Sequence, residues 1–211
     1  AEMTFKLAKE KSISFVFGFP NNNSYPGFVK KLGWSCPYKL HDFRIKIFTI
    51  PLCKAAKKIS LFKPLYNIYR NLVFSLFSKK GIAFQSSVIE MGIGGLNRSN
   101  DFLEYKLKSG VLLRQIEECS LLIKTDGFLF LGDIQRLENV DYSKVLRKLR
   151  HMCFWAGIDI IVFQVSPTTF LDKKLSTILK SSEAYYMGYI NLDNQFDPEK
   201  FKYVFADIDT F

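Results

Sequence analysis

The sequence predicts an α/β or α+β fold in which helices flank a mixed sheet, and three observations support this prediction. The 211 residues are 48% apolar and 16% aromatic, a composition that suits a packed core and is too apolar for disorder. Short runs of β-branched and aromatic residues, typical of strands, alternate with segments of helical periodicity. The order helix–strand–helix–strand of residues 3–50 recurs, with one more strand, in residues 141–208. The recurrence indicates two structurally related units.

The first fifty residues contain the most specific pattern. A helix is predicted at 3–11 and a strand at 14–19, which a proline and three asparagines interrupt. A second helix follows and ends at Gly33, because glycine readily adopts the positive φ of a helix stop. Alternating apolar residues at 41–50 then predict a half-buried strand. The candidates for the N-cap of the second helix are Asn22, Asn23 and Ser24.

Residues 59–77 predict an amphipathic helix, with its helical periodicity beginning after Pro64. Leu65, Ile68, Leu72 and Leu76 recur at intervals of three and four residues, and basic residues surround them. Two interpretations fit this pattern: a linker helix buried between two units, or a helix lying on a membrane surface. The sequence favours the linker and leaves both open.

After Gly81 the alternation of strands and helices resumes. The helix at 141–156 has the strongest periodicity, and Gly157 follows it as a stop. The segment 158–165 is continuously apolar, which is typical of a strand buried on both faces. The segment 112–118 fits a strand and also a helix. The remaining strands are predicted at 84–91, 120–125, 128–137, 185–191 and 203–208, and the remaining helices at 101–108 and 170–179.

The cysteines and histidines do not form a metal-binding pattern. Cys36, Cys53, Cys119 and Cys153 are too far apart in the sequence for metal-ligand spacing, and there are only two histidines. Free, partly buried thiols in a reducing compartment are therefore expected. The first residues contain no apolar core of a secretory signal, and no apolar run is long enough to span a membrane, so the prediction is a cytoplasmic protein.

The net charge of +10 is unevenly distributed. Residues 1–81 contain 15 basic and 3 acidic residues, whereas residues 82–211 contain 15 basic and 17 acidic residues. The basic excess of the first part indicates an anionic partner, which is a phosphate-bearing cofactor, a nucleic acid or a membrane surface. A solvated face that keeps the protein in solution explains the excess equally well.

A family resemblance rests on the order of these segments. The stretch FVFGFPNNNSYPGFVKKLGW at 15–34 resembles the closing part of a GNAT-type N-acetyltransferase domain, in which a fifth strand leads to a helix that ends in glycine and an aromatic residue. FLFLGDI at 128–134 is similar to the family's fourth strand, GIDIIVFQVS at 157–166 to its fifth, and FADIDTF at 205–211 to its closing strand. The resemblance covers nearly the whole chain, and its first motif is the most specific.

The resemblance implies a three-part chain. Residues 1–58 would be the tail of a first GNAT-like domain, 59–80 an amphipathic linker helix, and 81–211 a second, degenerate GNAT-like domain. The first half of the first domain would then precede Ala1. A complete small α+β protein is the alternative interpretation.

The resemblance also implies acetyl-CoA as cofactor and an amine-bearing or other small molecule as substrate. The family holds the pyrophosphate on the loop between the fourth strand and the next helix, and the pantetheine arm between splayed strands. Here that loop is QRLENVDYS at 135–143, which has no glycine, so we expect the second unit to lack a complete CoA site. Asn22, Asn23 and Ser24 are the candidates for cofactor contacts.

Candidate catalytic residues follow from the same resemblance. Tyr25 is the candidate acid, although the family's tyrosine lies four residues before the Gly-aromatic stop and Tyr25 lies eight before Gly33. Asp133 on the fourth strand is the first candidate base and Glu138 the second. Asp207 and Asp209 alternate on the predicted last strand, which makes them either a carboxylate pair or a charged strand end.

Two other classes of function remain as alternatives. A non-enzymatic module would bind a protein or an anionic surface through residues 59–80. Nucleic-acid binding by the basic first part has no recognised motif to support it. A homodimer is possible because an incomplete sheet exposes an edge strand.

Overall fold

The computed structural model describes residues 2–193, 197–208 and 211, and its strands form one sheet. The strands are β1 (Phe15–Gly18), β2 (Ser35–Lys46), β3 (Lys79–Lys80), β4 (Leu112–Ile116), β5 (Cys119–Thr125), β6 (Leu129–Ile134), β7 (Ile160–Val165) and β8 (Ser181–Asn191). Their order across the sheet is β1-β8-β2-β7-β6-β5-β4-β3, and only β6 and β7 are parallel neighbours. The predicted fold class, a mixed sheet flanked by helices, is confirmed.

Seven α-helices accompany the sheet in the described part of the chain. They are α1 (Glu2–Glu10), α2 (Tyr25–Leu32), α3 (Leu52–Lys58), α4 (Lys63–Phe77), α5 (Asn100–Lys108), α6 (Tyr142–Trp155) and α7 (Phe170–Ser176), and 3₁₀ turns lie at Pro198–Lys200 and Phe205–Asp207. The side chains of Ser99, Asp141 and Thr169 accept amide hydrogen bonds at the starts of α5, α6 and α7. Gly33 has the predicted positive φ, 68°. Among the described residues, no helix combines the length and apolar character that crossing a membrane requires.

Strand β2 lies in the middle of the sheet, between β8 and β7. Residues 41–46 pair antiparallel with β7, and residues 35–43 pair antiparallel with β8 across two register shifts. Strand β1 pairs with the other edge of β8. Strands from residues 1–58 and from residues 81–211 therefore share one sheet and one core, and the three-part division of the chain stays a prediction.

The sheet edges β1 and β3 are only four and two residues long, which is a common protection against edge-to-edge pairing. The homodimer stays a prediction as well.

Some predicted elements are wrong, each for a local physical reason. Residues 84–91 contain no strand, because the hydroxyls of Ser86 and Ser87 donate to Asp133 and hold the segment as a loop. Residues 205–207 form a 3₁₀ turn in place of a closing strand, because the carboxylate of Asp207 accepts from the amide of Val204 at 2.8 Å. Asp207 therefore lies in a turn and not on a strand face, and Asp209 lies outside the described residues, so their predicted pairing stays a prediction. Helix α3 was not predicted from the sequence. Strand β2 begins at Ser35 and ends at Lys46, whereas the predicted strand covered 41–50.

All four cysteines are free, and we expect them to differ sharply in reactivity. Cys53, Cys119 and Cys153 are buried, and burial raises the pKa of each thiol, to about 11 for Cys119. Cys36 is half-buried on β2, and burial raises the pKa of its thiol as well, so that access is what separates it from the other three. An aromatic disulfide reagent at mildly alkaline pH should therefore modify Cys36 in the native protein and the other three only after unfolding, because the reagent reaches buried sulfurs only when the chain opens. Rapid reaction of more than one thiol in the native protein would contradict this arrangement.

Candidate functional site

The parallel strands β6 and β7 hold together over only three residue pairs. Leu129, Phe130 and Leu131 pair with Ile161, Val162 and Phe163. Beyond this point Asp133 and Ile134 pair only with β5, while Gln164 and Val165 pair with β2. The sheet consequently opens between the carboxyl ends of its two parallel strands. In open α/β sheets, such an opening is the usual place for a ligand.

In this structure the opening is filled by residues 203–208 and 211 of the same chain. The backbone of Tyr203 exchanges two hydrogen bonds with Ser166 at the end of β7: the Ser166 amide donates to the Tyr203 carbonyl at 2.8 Å, and the Ser166 hydroxyl accepts from the Tyr203 amide at 2.9 Å. Val204 forms a single antiparallel bridge with Val165. The Phe205 ring stacks on Phe130 of β6, with ring centroids 5.4 Å apart. We refer to residues 203–208 and 211 as the closing segment.

Gly132 leaves the space that Phe211 occupies. A Cβ at position 132 would lie 2.1 Å from the Cζ atom of the Phe211 ring, which is far inside van der Waals contact. Phe211 is buried, and the Lys106 ammonium donates to the carbonyls of Ile208 and Phe211 at 3.0 and 3.3 Å. A glycine inside a strand often marks such a close approach. The closing segment is thus fitted to β6 by side-chain shape and by a buried cation.

A buried charge cluster joins the closing segment to β6. The Nη2 atom of Arg98 donates to Asp133 Oδ2 at 3.1 Å, and its Nη1 atom lies 2.6 Å from Asp207 Oδ1. All three side chains are essentially inaccessible to solvent, and the guanidinium lies over the ring of Phe102. Burial raises the pKa of Asp207 although Arg98 opposes this shift. Burial would lower the pKa of Arg98, but its two carboxylate neighbours raise it above the ordinary value.

The residues predicted as catalytic are not brought together. Asp133 is fully buried in the charge cluster, where Ser86 and Ser87 also donate to it. Glu138 is exposed in the turn that follows β6. Tyr25 stacks on Tyr186 of β8, with ring centroids 4.0 Å apart. Two strands, β2 and β7, separate β8 from β6, so the strand that Tyr25 contacts lies about 14 Å across the sheet from the strand of Asp133.

The predicted cofactor residues lie at the start of α2. Asn22 and Asn23 are exposed in the preceding turn, and Ser24 occupies the N-cap position without a side-chain capping bond. Asn22 borders a polar pocket of about 260 Å³ between β2, β7 and β8. In this pocket the carboxylate of Asp42 accepts from Gln164 at 3.0 Å and from Arg44 at 2.5 Å. The other polar side chains that line the pocket are those of Asn21, Glu183 and Tyr185.

Sequence reasoning missed a histidine–carboxylate pair. The Nδ1 atom of His41 lies 2.6 Å from Asp172 Oδ1, and the other carboxylate oxygen accepts from the Thr168 amide at 2.8 Å. The side chain of His41 is one-third exposed to solvent. A carboxylate that orients an imidazole is an arrangement used in general acid–base catalysis. The one sequence signal was the Thr-x-x-Asp start of α7, where Thr169 caps the Asp172 amide.

The residues present do not fit the pyrophosphate of acetyl-CoA. In the 135–143 loop, the carboxylate of Asp141 accepts from the amides of Ser143 and Lys144 at the start of α6. These are the donors that a pyrophosphate would use, and the aspartate adds a repelling negative charge. The Tyr142 hydroxyl bonds to the backbone of Leu137 and fixes the loop. Among the described residues, no group of three His, Cys, Asp or Glu side chains could hold a metal ion.

Comparisons with known proteins give structural likeness only. No family model matches the chain, and no curated protein matches it. It is similar to the crystal structure of a GCN5-related N-acetyltransferase from Kribbella flavida, at 10% identity and a TM-score of 0.47, covering 90% of this chain and 46% of the other. It is also similar to a GCN5-related N-acetyltransferase from Anabaena variabilis, at 14% identity and a TM-score of 0.45, covering 91% and 49%. The chain therefore spans about half the length of these two structures.

Proposed function

We propose that the chain is the C-terminal portion of an acetyl-CoA-dependent N-acyltransferase of the GNAT type and does not itself complete a CoA site. The observation that carries this proposal is the opening between β6 and β7. It lies between the segments that resemble the fourth and fifth strands of the family, where the family holds the pantetheine arm. The absence of a CoA site is supported by the closing segment in that opening and by Asp141 at the amides of α6.

The chain would then contribute to the substrate side of the enzyme. The pocket beside Asn22 is polar, and Asp42 and Glu183 could attract the ammonium group of an amine substrate. The candidate for proton exchange with that amine is His41, which pairs with Glu183 across the sheet but does not itself line the pocket. Arg44 and Lys39 partly neutralise the two carboxylates, which favours a substrate that itself carries an acidic group beside its amine.

Calorimetric titration with acetyl-CoA tests this proposal. We expect no saturable binding at micromolar concentration by the 211 residues alone, because the pyrophosphate donors and the pantetheine opening are already occupied. The full gene product, titrated in parallel, should bind acetyl-CoA and transfer the acetyl group to an amine. Saturable binding by the 211 residues alone would overturn the absence of a CoA site. No binding by the full gene product would overturn the acyltransferase itself.

A second candidate is a non-enzymatic interaction module. The observation that favours it is the exposed apolar side of α4, which neither the sheet nor a neighbouring helix covers among the described residues. The two candidates differ in turnover: a scaffold would retain its partner when His41 is replaced by alanine, whereas an enzyme that uses this histidine would lose activity.

A further inference from the structure

Helix α4 has apolar side chains on two faces, and folding buries only one of them. The inner face, with Tyr66, Val73 and Phe74, packs into the core. The outer face consists of leucine and isoleucine side chains spaced three and four residues apart, so that they lie on one side of the helix. They are Leu65, Ile68, Leu72 and Leu76, with exposed fractions of 65%, 68%, 58% and 73%. A linker buried between two units would hide this face, and no described residue hides it.

An aromatic pocket continues the outer face. Tyr69 adjoins Ile68 on α4, and its hydroxyl donates to the Trp155 carbonyl at the end of α6. Behind Tyr69 opens an almost entirely apolar pocket of about 710 Å³. Phe48 at its rim is 100% exposed and Trp155 is 55% exposed. The side chains that shape the pocket are Phe48, Ile50, Leu52, Tyr69, Phe154 and Trp155. We call the outer face of α4 together with this pocket the docking surface.

The segment that contributes α4 and one side of the pocket, residues 43–89, is rich in basic residues, whereas Glu117 and Glu118 from another segment lie beside Leu76. Residues 43–89 include nine basic residues and no acidic residue. Lys54 and Lys57 pair with Asp159 and Asp126 from other segments. The exposed lysines at the two ends of α4 form no ion pair with any described residue. These are Lys58 and Lys63 before the outer face, and Lys79 and Lys80 after it.

We propose that the docking surface binds the surface of an anionic lipid bilayer. Helix α4 would lie in the plane of the interface, with its leucines among the acyl chains and its terminal lysines at the anionic headgroups. Tyr69 and Trp155 are residue types that favour the headgroup level, and Phe48 suits the apolar side of the interface. This occupant satisfies the apolar side chains and the lysines at the same time, and the proposal does not depend on the acyltransferase.

A second copy of the chain fits this surface less well. A two-fold interface would place the same patch on both partners, so that lysines at the ends of α4 would meet lysines. The repulsion of like charges would oppose association, especially since the whole chain carries a net charge of +10. A bilayer that contains acidic lipids presents the opposite charge along the whole surface.

Vesicle co-sedimentation of the 211-residue chain tests the proposal. We expect binding to phosphatidylcholine vesicles that contain phosphatidylserine and little binding to vesicles of phosphatidylcholine alone. Leu72→Gln should weaken binding roughly tenfold, because an apolar side chain no longer leaves water. Lys63→Glu should weaken it roughly fivefold or more, with a smaller effect at high salt. Trp155 fluorescence should shift to the blue on binding, since the other tryptophan, Trp34, is already buried.

Met91→Gln is the matched control. Met91 is also a fully exposed apolar side chain, but it lies in a turn outside the docking surface. This variant should bind like the unmodified chain, and all three variants should keep the native circular dichroism because the replaced side chains are exposed. The proposal is overturned if anionic vesicles are not bound, or if Leu72→Gln binds as well as Met91→Gln. It is also overturned if light scattering shows a dimer that Leu72→Gln dissociates, because a second copy would then be the occupant.

Discussion

Replacing Arg98 by methionine is expected to lower the free energy of unfolding by about 3–5 kcal/mol. The substitution keeps the length and apolar stem of the side chain but removes the only cation that contacts both Asp133 and Asp207 within the described chain. Both carboxylates are fully buried, so neither can recover its hydration in the folded state. Urea unfolding at neutral pH, followed by circular dichroism, measures the loss.

The pH dependence of this loss distinguishes unpaired charge from lost packing. Burial already raises the pKa of Asp207, and removal of Arg98 should raise it further. A carboxyl group whose pKa is higher in the folded than in the unfolded protein destabilises the folded state as pH rises through that range. The deficit of Arg98→Met should therefore shrink as the pH is lowered from neutral toward 5. A deficit that is independent of pH would contradict the electrostatic explanation.

Arg147→Met provides the control for the same change of residue type. Arg147 is exposed on α6, so its substitution should change the unfolding free energy by less than about 0.5 kcal/mol. Adding Asp207→Asn to Arg98→Met should restore part of the loss, because one of the two stranded charges is then removed. Equal losses for Arg98→Met and Arg147→Met would rule out a structural role for the charge cluster.

The sequence predicted those elements whose signals are local. Helix α6 was predicted almost to its ends, because Asp141 caps its first amides and Gly157 adopts a positive φ after its last turn. Helix α5, predicted at 101–108, likewise follows a local cap, since the Ser99 hydroxyl accepts from the Phe102 amide. The continuously apolar segment before Val165 became β7, which has neighbours on both sides. In each case the decisive contacts join residues that are close in the sequence.

The arrangement around the opening could not be predicted, because its partners are distant in the sequence. Arg98 meets Asp133 35 residues further along the chain, and His41 meets Asp172 across 131 residues. The sequence draws attention to Asp133, a carboxylate in the apolar strand FLFLGDI, and suggests it as a candidate base. Its ion-pair partner Arg98 could not be predicted, because Arg98 lies in a loop whose sequence has no periodic pattern. The position of β2 between β7 and β8 is non-local in the same way, since a strand's alternation indicates its buried face but not its neighbours.

Gly132 lies on a strand that the sequence predicts and contacts the closing segment, whose position the sequence does not predict. Gly132→Ala is expected to destabilise the protein by about 1–3 kcal/mol. The backbone at position 132 has no positive φ, so the loss does not come from backbone strain. It comes from the new methyl group, which would lie 2.1 Å from the Phe211 ring. Either the ring leaves its place between the strands or β6 moves. Chemical unfolding of the variant measures the cost.

A double-mutant cycle tests whether the loss arises from the contact between position 132 and the Phe211 ring. Phe211→Ala alone should also destabilise the protein, because it empties a buried site beside β6. Combined with Gly132→Ala it should cost clearly less than the sum of the two single changes, since the new methyl group then enters space that the ring has vacated. Gly27→Ala is the control, because a Cβ at that helical position meets nothing within 4 Å, and it should be neutral or slightly stabilising. Additive losses would mean that the Phe211 ring does not require a residue without a side chain at position 132. Coupled losses would show that the glycine of β6 and the closing segment are fitted to each other, so that acetyl-CoA could enter this opening only by displacing residues on which the fold depends.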